Sequence, residues 1–210
     1  MIAFKTYLTE SNREEYYRET SEMFDIDSPK IVAWFDGKEN QINRFETLLN
    51  IGVQDGDRVL DFGCGVGHLL EHIKSKNLNV KYTGVDTNKQ SIELAKQKFD
   101  ETFLHGSTEI VMNEIYDWTL ISGVFNYEFP TSLMLKTINE LQSISAKGVA
   151  FNLLHGNDVS DIDYQFYSIN EVKSYFGKSE IITDYDVEED MTIYLRNTSI
   201  GNGIRKIQAC

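Results

Sequence analysis

From Asp57 onward the chain alternates short β-rich apolar runs with stretches whose apolar residues recur at helical spacing. Asp57 to Phe62 predicts a strand, Val66 to Lys76 a helix, and Val80 to Val85 a second strand. In "TNKQSIELAKQKF", Thr87 is placed to cap a helix whose apolar face is Ile92, Leu94, Ala95 and Phe99. "TFLH" at 102–105 predicts a third strand and "YDWTLISGVF" a fourth; a helix over 131–145 and a fifth strand, "KGVAFNLLH", follow. Strand, helix and strand in repetition imply a parallel sheet with helices on both faces.

Both ends depart from this rhythm. After a helical "SINEVKSYF", the runs "EIITDY" and "DMTIYLRN" are separated only by "DVEE", which suits an antiparallel hairpin and cannot hold a crossover helix. The sheet is therefore expected to be mixed. Residues 1–50 carry helical patterns, "EEYYRETSEMF" and "NQINRFETLLNIG", and read as an N-terminal cap laid over a main domain of residues 51–210.

Composition narrows the function. A chain of 210 residues with 41% hydrophobic content can bury a substantial core. A formal charge of −13, from 33 acidic against 20 basic residues, removes the footprint of a general nucleic-acid binder and favours a small-molecule partner. No apolar run approaches the roughly 18 residues of a membrane span, and the N-terminus lacks a signal-peptide core, so a cytoplasmic location is expected. The two cysteines, Cys64 and Cys210, form no metal-binding pair or expected disulfide, and His68 and His72 share a helix face without a spacing that completes a metal site.

The chemistry concentrates in "VLDFGCGVGHLL". Between the first strand and its helix, Gly63, Gly65 and Gly67 let the backbone turn sharply and approach a ligand at the sheet's carboxyl edge. Asp86 ends the second strand, 23 residues after Gly63, where a carboxylate can accept both ribose hydroxyls of an adenosine. A dinucleotide fingerprint needs glycine where this chain has His68, and Asp61 would repel a pyrophosphate while helping to position a cation. A sulfonium cofactor with an amino group fits better.

With "VLDFGCGVG", "TGVDTNKQSIELAKQKF", "YDWTLISGVFNY" and the closing hairpin, the chain resembles the class I S-adenosylmethionine-dependent methyltransferases over residues 57–197. The resemblance implies a Rossmann-like seven-stranded α/β fold, strand order 3-2-1-4-5-7-6 with the last strand antiparallel, and S-adenosylmethionine as cofactor. It places Asp61, Gly63 and Gly65 around the methionine end, with Cys64 inside the turn as a small filler, and Asp86 on the ribose. Thr87 and Asn88 would lie beside adenine. Ser107 stands where the family usually carries an acid for the adenine amino group, with Thr108 or Glu109 as substitutes. Ser122 and Gly123 would lie by the cofactor amino group or the transferred methyl.

Other candidates keep two readings. Gln41 and Arg44, left at i and i+3 by a buried face of Ile42, Phe45 and Leu48 or Leu49, either bind the cofactor carboxylate or form a solvated face; Trp34 goes with them. Phe125, Asn126, Tyr127 and Phe129 either line the acceptor pocket or pack the next helix. His155 is either a general base or structural. Tyr16, Tyr17, Phe24 and Trp34 are the expected lid.

The reaction expected is methyl transfer to a nitrogen or oxygen, less readily a carbon, of a small molecule. A nucleotide-dependent oxidoreductase and a non-catalytic adenosyl-binding subunit are the rivals.

Overall fold

The computed structural model describes residues 13–32, 37–126, 129–156, 164–185, 187 and 189–197. In chain order the helices and strands are α1 (Arg13–Met23), α2 (Lys38–Leu49), β1 (Arg58–Phe62), α3 (His68–Ser75), β2 (Lys81–Asp86), α4 (Lys89–Lys98), β3 (Thr102–His105), β4 (Tyr116–Ile121), α5 (Thr131–Ser143), β5 (Ser145–His155), β6 (Phe166–Tyr167), α6 (Ile169–Phe176), β7 (Glu180–Ile182) and β8 (Asp190–Arg196). Short 3-10 turns occur at Pro29–Val32 and Thr108–Ile110.

The sheet runs β3-β2-β1-β4-β5-β8-β7, with β1 to β5 parallel and β8 antiparallel to both neighbours. Setting aside the two-residue β6, this is the expected seven-stranded order. β6 pairs only Leu154 with Phe166 and His155 with Tyr167, too short a segment to leave a periodic signal.

Alternate residues of the strands feed two cores, as the pleat requires. Leu60, Phe62, Ile121, Val149, Phe151 and Ile193 pack against Met134, Ile138 and Leu141 of α5 and Val172 of α6. On the other face, Val59, Tyr82, Leu120, Ala150 and Tyr194 meet residues of α2, α3 and α4. α2, grouped by its pattern with the cap, supplies Phe45, Leu48 and Leu49 to this second core. Tyr194 also donates its hydroxyl to the Thr47 carbonyl.

Local boundaries near the site differ from the sequence reading. α3 starts at His68, not Val66, because Gly65 and Gly67 stand at φ +54° and +87°, outside helical backbone. α4 is capped by Asn88, whose side chain accepts from the Ser91 N–H at 2.8 Å, not by Thr87. β4 ends at Ile121, and the chain then turns through Gly123 at φ +71°.

Candidate cofactor and acceptor site

The carboxyl ends of β1, β2, β4 and β5 lie side by side, and each carries one of the expected groups. β1 ends in Asp61-Phe62 and enters the glycine turn, where the Gly63 and Cys64 N–H groups both donate to the Val85 carbonyl at 2.7 and 3.0 Å. Side chains would not fit on the outer surface of this turn. A Cβ on Gly63 would lie 2.2 Å from Val124 Cγ2, and one on Gly65 would lie 2.7 Å from Val32 Cγ1. Cys64 turns inward; its thiol sits against Gly84, where a Cβ would come within 2.8 Å of Sγ, and burial pushes the thiol well above its usual range.

Asp86, at the end of β2, reaches back to the turn. Its Oδ2 accepts the Gly65 N–H at 2.8 Å and its Oδ1 accepts the Asn88 N–H at 2.7 Å. These bonds fix the carboxylate beside the turn and the α4 N-terminus, where it can meet a ribose. Asp61 is 2% exposed and accepts the Tyr82 hydroxyl at 2.6 Å. Burial raises its pKa to about 7, the Tyr82 bond opposes that rise, and the Asp86 charge adds to it. Tyr82 is a site residue the sequence reading missed, because within β2 it has the spacing of an ordinary core aromatic.

After β3, the Thr108 hydroxyl donates to Glu140 of α5 at 2.7 Å, and Glu109 accepts the Ser107 N–H at 3.0 Å. The Glu109 carboxyl is held below its usual range by the backbone N–H groups of Ser107 and its own residue. Thr87 is exposed, and its carbonyl faces His105 Nε2 at 3.1 Å.

The structure separates Gln41 and Arg44 from the solvated face that was one of their two readings. Both are buried, at 6% and 2% exposure, because α2 packs against the sheet below and α3 beside it. Arg44 forms an ion pair with Asp190 at the start of β8, and Gln41 Nε2 approaches His68 Nδ1 at 3.5 Å. Nothing local in the sequence links residue 44 to residue 190.

In the loop after β4, Asn126 is 5% exposed and its Oδ1 has no hydrogen-bond partner among the described residues. Its backbone carbonyl accepts the Gln165 N–H at 3.0 Å, which ties the loop after β4 to the start of β6. His155 lies at the end of β5 with Nδ1 3.2 Å from the Tyr167 carbonyl. A carbonyl only accepts, so Nδ1 is the donor of this pair. Phe125 is buried, with its ring edge-on to Phe129 and Phe151, so it packs the core as well as bordering the site.

Trp34, Tyr127 and the side chains of Tyr16 and Tyr17 lie outside the described residues. Phe24, the remaining member of the expected lid, has Lys30 Nζ 5.6 Å from its ring centre. The described part of the cap crosses the glycine turn, with Val32 on Gly65 and Ile26 against α3.

The residues present fit an adenosyl sulfonium ligand: a glycine turn that brings backbone to the site, a fixed carboxylate at ribose position, and a second carboxyl beside it that gains from a neighbouring cation.

A family model described as a methyltransferase domain matches residues 60–143. A Mycobacterium tuberculosis protein described as a candidate methyltransferase is 23% identical over 167 residues, covering 71% of this chain and 98% of that protein. Pavine N-methyltransferase of Thalictrum flavum subsp. glaucum is 30% identical over 130 residues, covering 57% of this chain and 34% of that enzyme. The crystal structure of magnesium protoporphyrin IX methyltransferase from Synechocystis PCC 6803 with bound S-adenosylmethionine has the same fold, with a TM-score of 0.65 at 16% identity, covering 90% of this chain and 96% of that one.

Proposed function

We propose that this chain, a class I S-adenosylmethionine-dependent methyltransferase, transfers the methyl group to a nucleophilic nitrogen or oxygen of a small-molecule acceptor. The observation that carries the reading is the placement of Asp61 and Asp86 on either side of a turn whose Gly63 and Gly65 stand at positive φ with no room for a Cβ of their own. The cofactor, when bound, supplies an activated methyl on a sulfonium, so the protein's work is orientation, exclusion of water and removal of a proton.

In this reading Asp86 holds the ribose, while Gly63, Cys64 and Gly65 present backbone to the methionine end. Asp61 gives up its proton to complement the ligand's positive charge. Thr87, Ser107 and Thr108 border adenine, and Ser122 and Gly123 border the amino group. Arg44 and Gln41 act from the side: the Asp190-bound guanidinium and the His68-bound amide brace α2 beside the site. Of the cap, the described residues 13–32 lie over the glycine turn and α3.

Asn126 Oδ1, buried and without a described partner, would accept a hydrogen bond from an N–H or O–H of the acceptor, and His155 Nε2 would take the proton released. A strongly acidic chain suits a small acceptor better than a nucleic acid. The partial likeness to a plant N-methyltransferase supports nitrogen as the first class to try.

The test is calorimetric titration with S-adenosylhomocysteine and with NAD, followed by a methyl-transfer screen of amines and phenols. Binding of NAD in preference would overturn the reading. Tight S-adenosylhomocysteine binding with no turnover on any acceptor would favour a non-catalytic adenosyl-binding subunit.

A further inference from the structure

His68 interrupts what would otherwise be a dinucleotide fingerprint, and the methyl-transfer reading uses only its contact with Gln41. It is the first residue of α3, 8% exposed, and its Nε2 lies 2.8 Å from the backbone carbonyl of Ile26 in the cap. Because that carbonyl can only accept, Nε2 carries the proton, and Nδ1 is left to accept from Gln41 Nε2 at 3.5 Å. Burial lowers the His68 pKa, which keeps the ring neutral and this pair of roles intact near pH 7.

The bond fastens a strap. Residues 26–32 run from Ile26, over α3, to Val32, whose Cγ1 rests where a Gly65 side chain would stand. Ile31 is 3% exposed, and its carbonyl accepts the Thr20 hydroxyl at 3.0 Å, which joins the strap to α1. A second anchor lies beside the first: Lys98 of α4 pairs with Asp27 of the strap and, at 3.2 Å, with Glu71 of α3. With Val32 in contact with Gly65, a ligand cannot lie against that glycine until the strap lifts.

We propose that His68 is a positioning residue of the cofactor site, which latches residues 26–32 across the glycine turn and so sets how often the site is open to its cofactor. The proposal rests on the reading that the turn holds an adenosyl ligand. Only the open fraction can bind, so apparent affinity is reduced by the closed population. Losing one buried hydrogen bond shifts such an equilibrium by about five- to tenfold.

The experiment compares the full-length protein with His68→Phe, which keeps the ring and removes the donor, and His68→Gln, whose amide can still reach the Ile26 carbonyl. Amide hydrogen exchange of residues 24–32 is measured without ligand, and S-adenosylhomocysteine binding by calorimetry and stopped flow. His68→Phe should speed exchange in the strap and raise both the association rate and the affinity about five- to tenfold, while His68→Gln stays near the parent protein. Unchanged or weaker affinity in His68→Phe, equal behaviour of the two variants, or unchanged strap exchange would overturn the latch. If His68→Phe does not fold, Lys98→Met removes the other anchor at a partly exposed position and should produce the same directions of change. The ligand-free exchange arm decides the latch even if the parent protein fails to bind S-adenosylhomocysteine, an outcome that would refute the methyltransferase reading instead.

Discussion

The Tyr82 hydroxyl donates to Asp61 Oδ2 across 2.6 Å, joining the second strand to the last polar residue before the glycine turn. Both side chains are buried, so the bond is the described partner that offsets the cost of enclosing a carboxyl group in the sheet's upper layer.

A pH dependence follows from this pair. The Asp61 carboxyl ionises near 3.8 when unfolded and near 7 when folded, so between those values the native protein holds a proton that the unfolded chain has released. Its contribution to stability is therefore fully present below about pH 4 and is lost as pH rises to about 7, a span of at most ~4 kcal/mol. Asp61→Asn should flatten that part of the melting-temperature profile and melt higher than the parent protein at pH 8 without ligand. Tyr82→Phe, which removes the bond that lowers the Asp61 pKa, should move the loss to higher pH. Thermal melts from pH 4 to 9 check both.

Asp86→Ala removes the acceptor for the Gly65 and Asn88 N–H groups as well as the proposed ribose contact. Affinity for S-adenosylhomocysteine should fall about ten- to a hundredfold, corresponding to roughly 1.5 to 3 kcal/mol. A folded variant with an unchanged dissociation constant would show that the ribose lies elsewhere.

Gly63 holds φ +81°, and an added Cβ would meet Val124 Cγ2 at 2.2 Å. Gly63→Ala therefore combines left-handed backbone strain of roughly 1 to 2 kcal/mol with direct overlap. Gly63→Ala with Val124→Ala should recover the overlap and keep the strain. Urea denaturation of the single and double variants would measure the two parts separately.

Arg44 and Asp190 are 2% and 1% exposed and form an ion pair. Neutralising either one alone, as Arg44→Met or Asp190→Asn, leaves the other charge buried and should cost about 3 to 5 kcal/mol of stability. The double variant Arg44→Met with Asp190→Leu should recover most of that loss. If each single variant is nearly neutral by denaturant titration, the pair is better solvated than its burial indicates.

Much of this architecture is already written in local pattern. The alternation of strand and helix from residue 57, the glycine turn and an acid at the end of each of the first two strands are short-range properties. They depend on backbone sterics and on side-chain periods of two or 3.6 residues, which a sequence displays directly. The hairpin was legible for the same reason, since its connection is too short for a helix.

What the chain's order could not reveal is which distant groups meet. Tyr82 looked like core filling, and only the pairing of β1 with β2 sets it against Asp61. Arg44 lay between two readings until α2 packed across β5 and β8 and brought it to Asp190, 146 residues later in the numbering. His68, a mismatch in a motif, gained a partner only when the cap folded across α3. Burial decides each case: a polar group removed from water needs a partner, and that partner comes from whichever element the packing of the two cores places beside it.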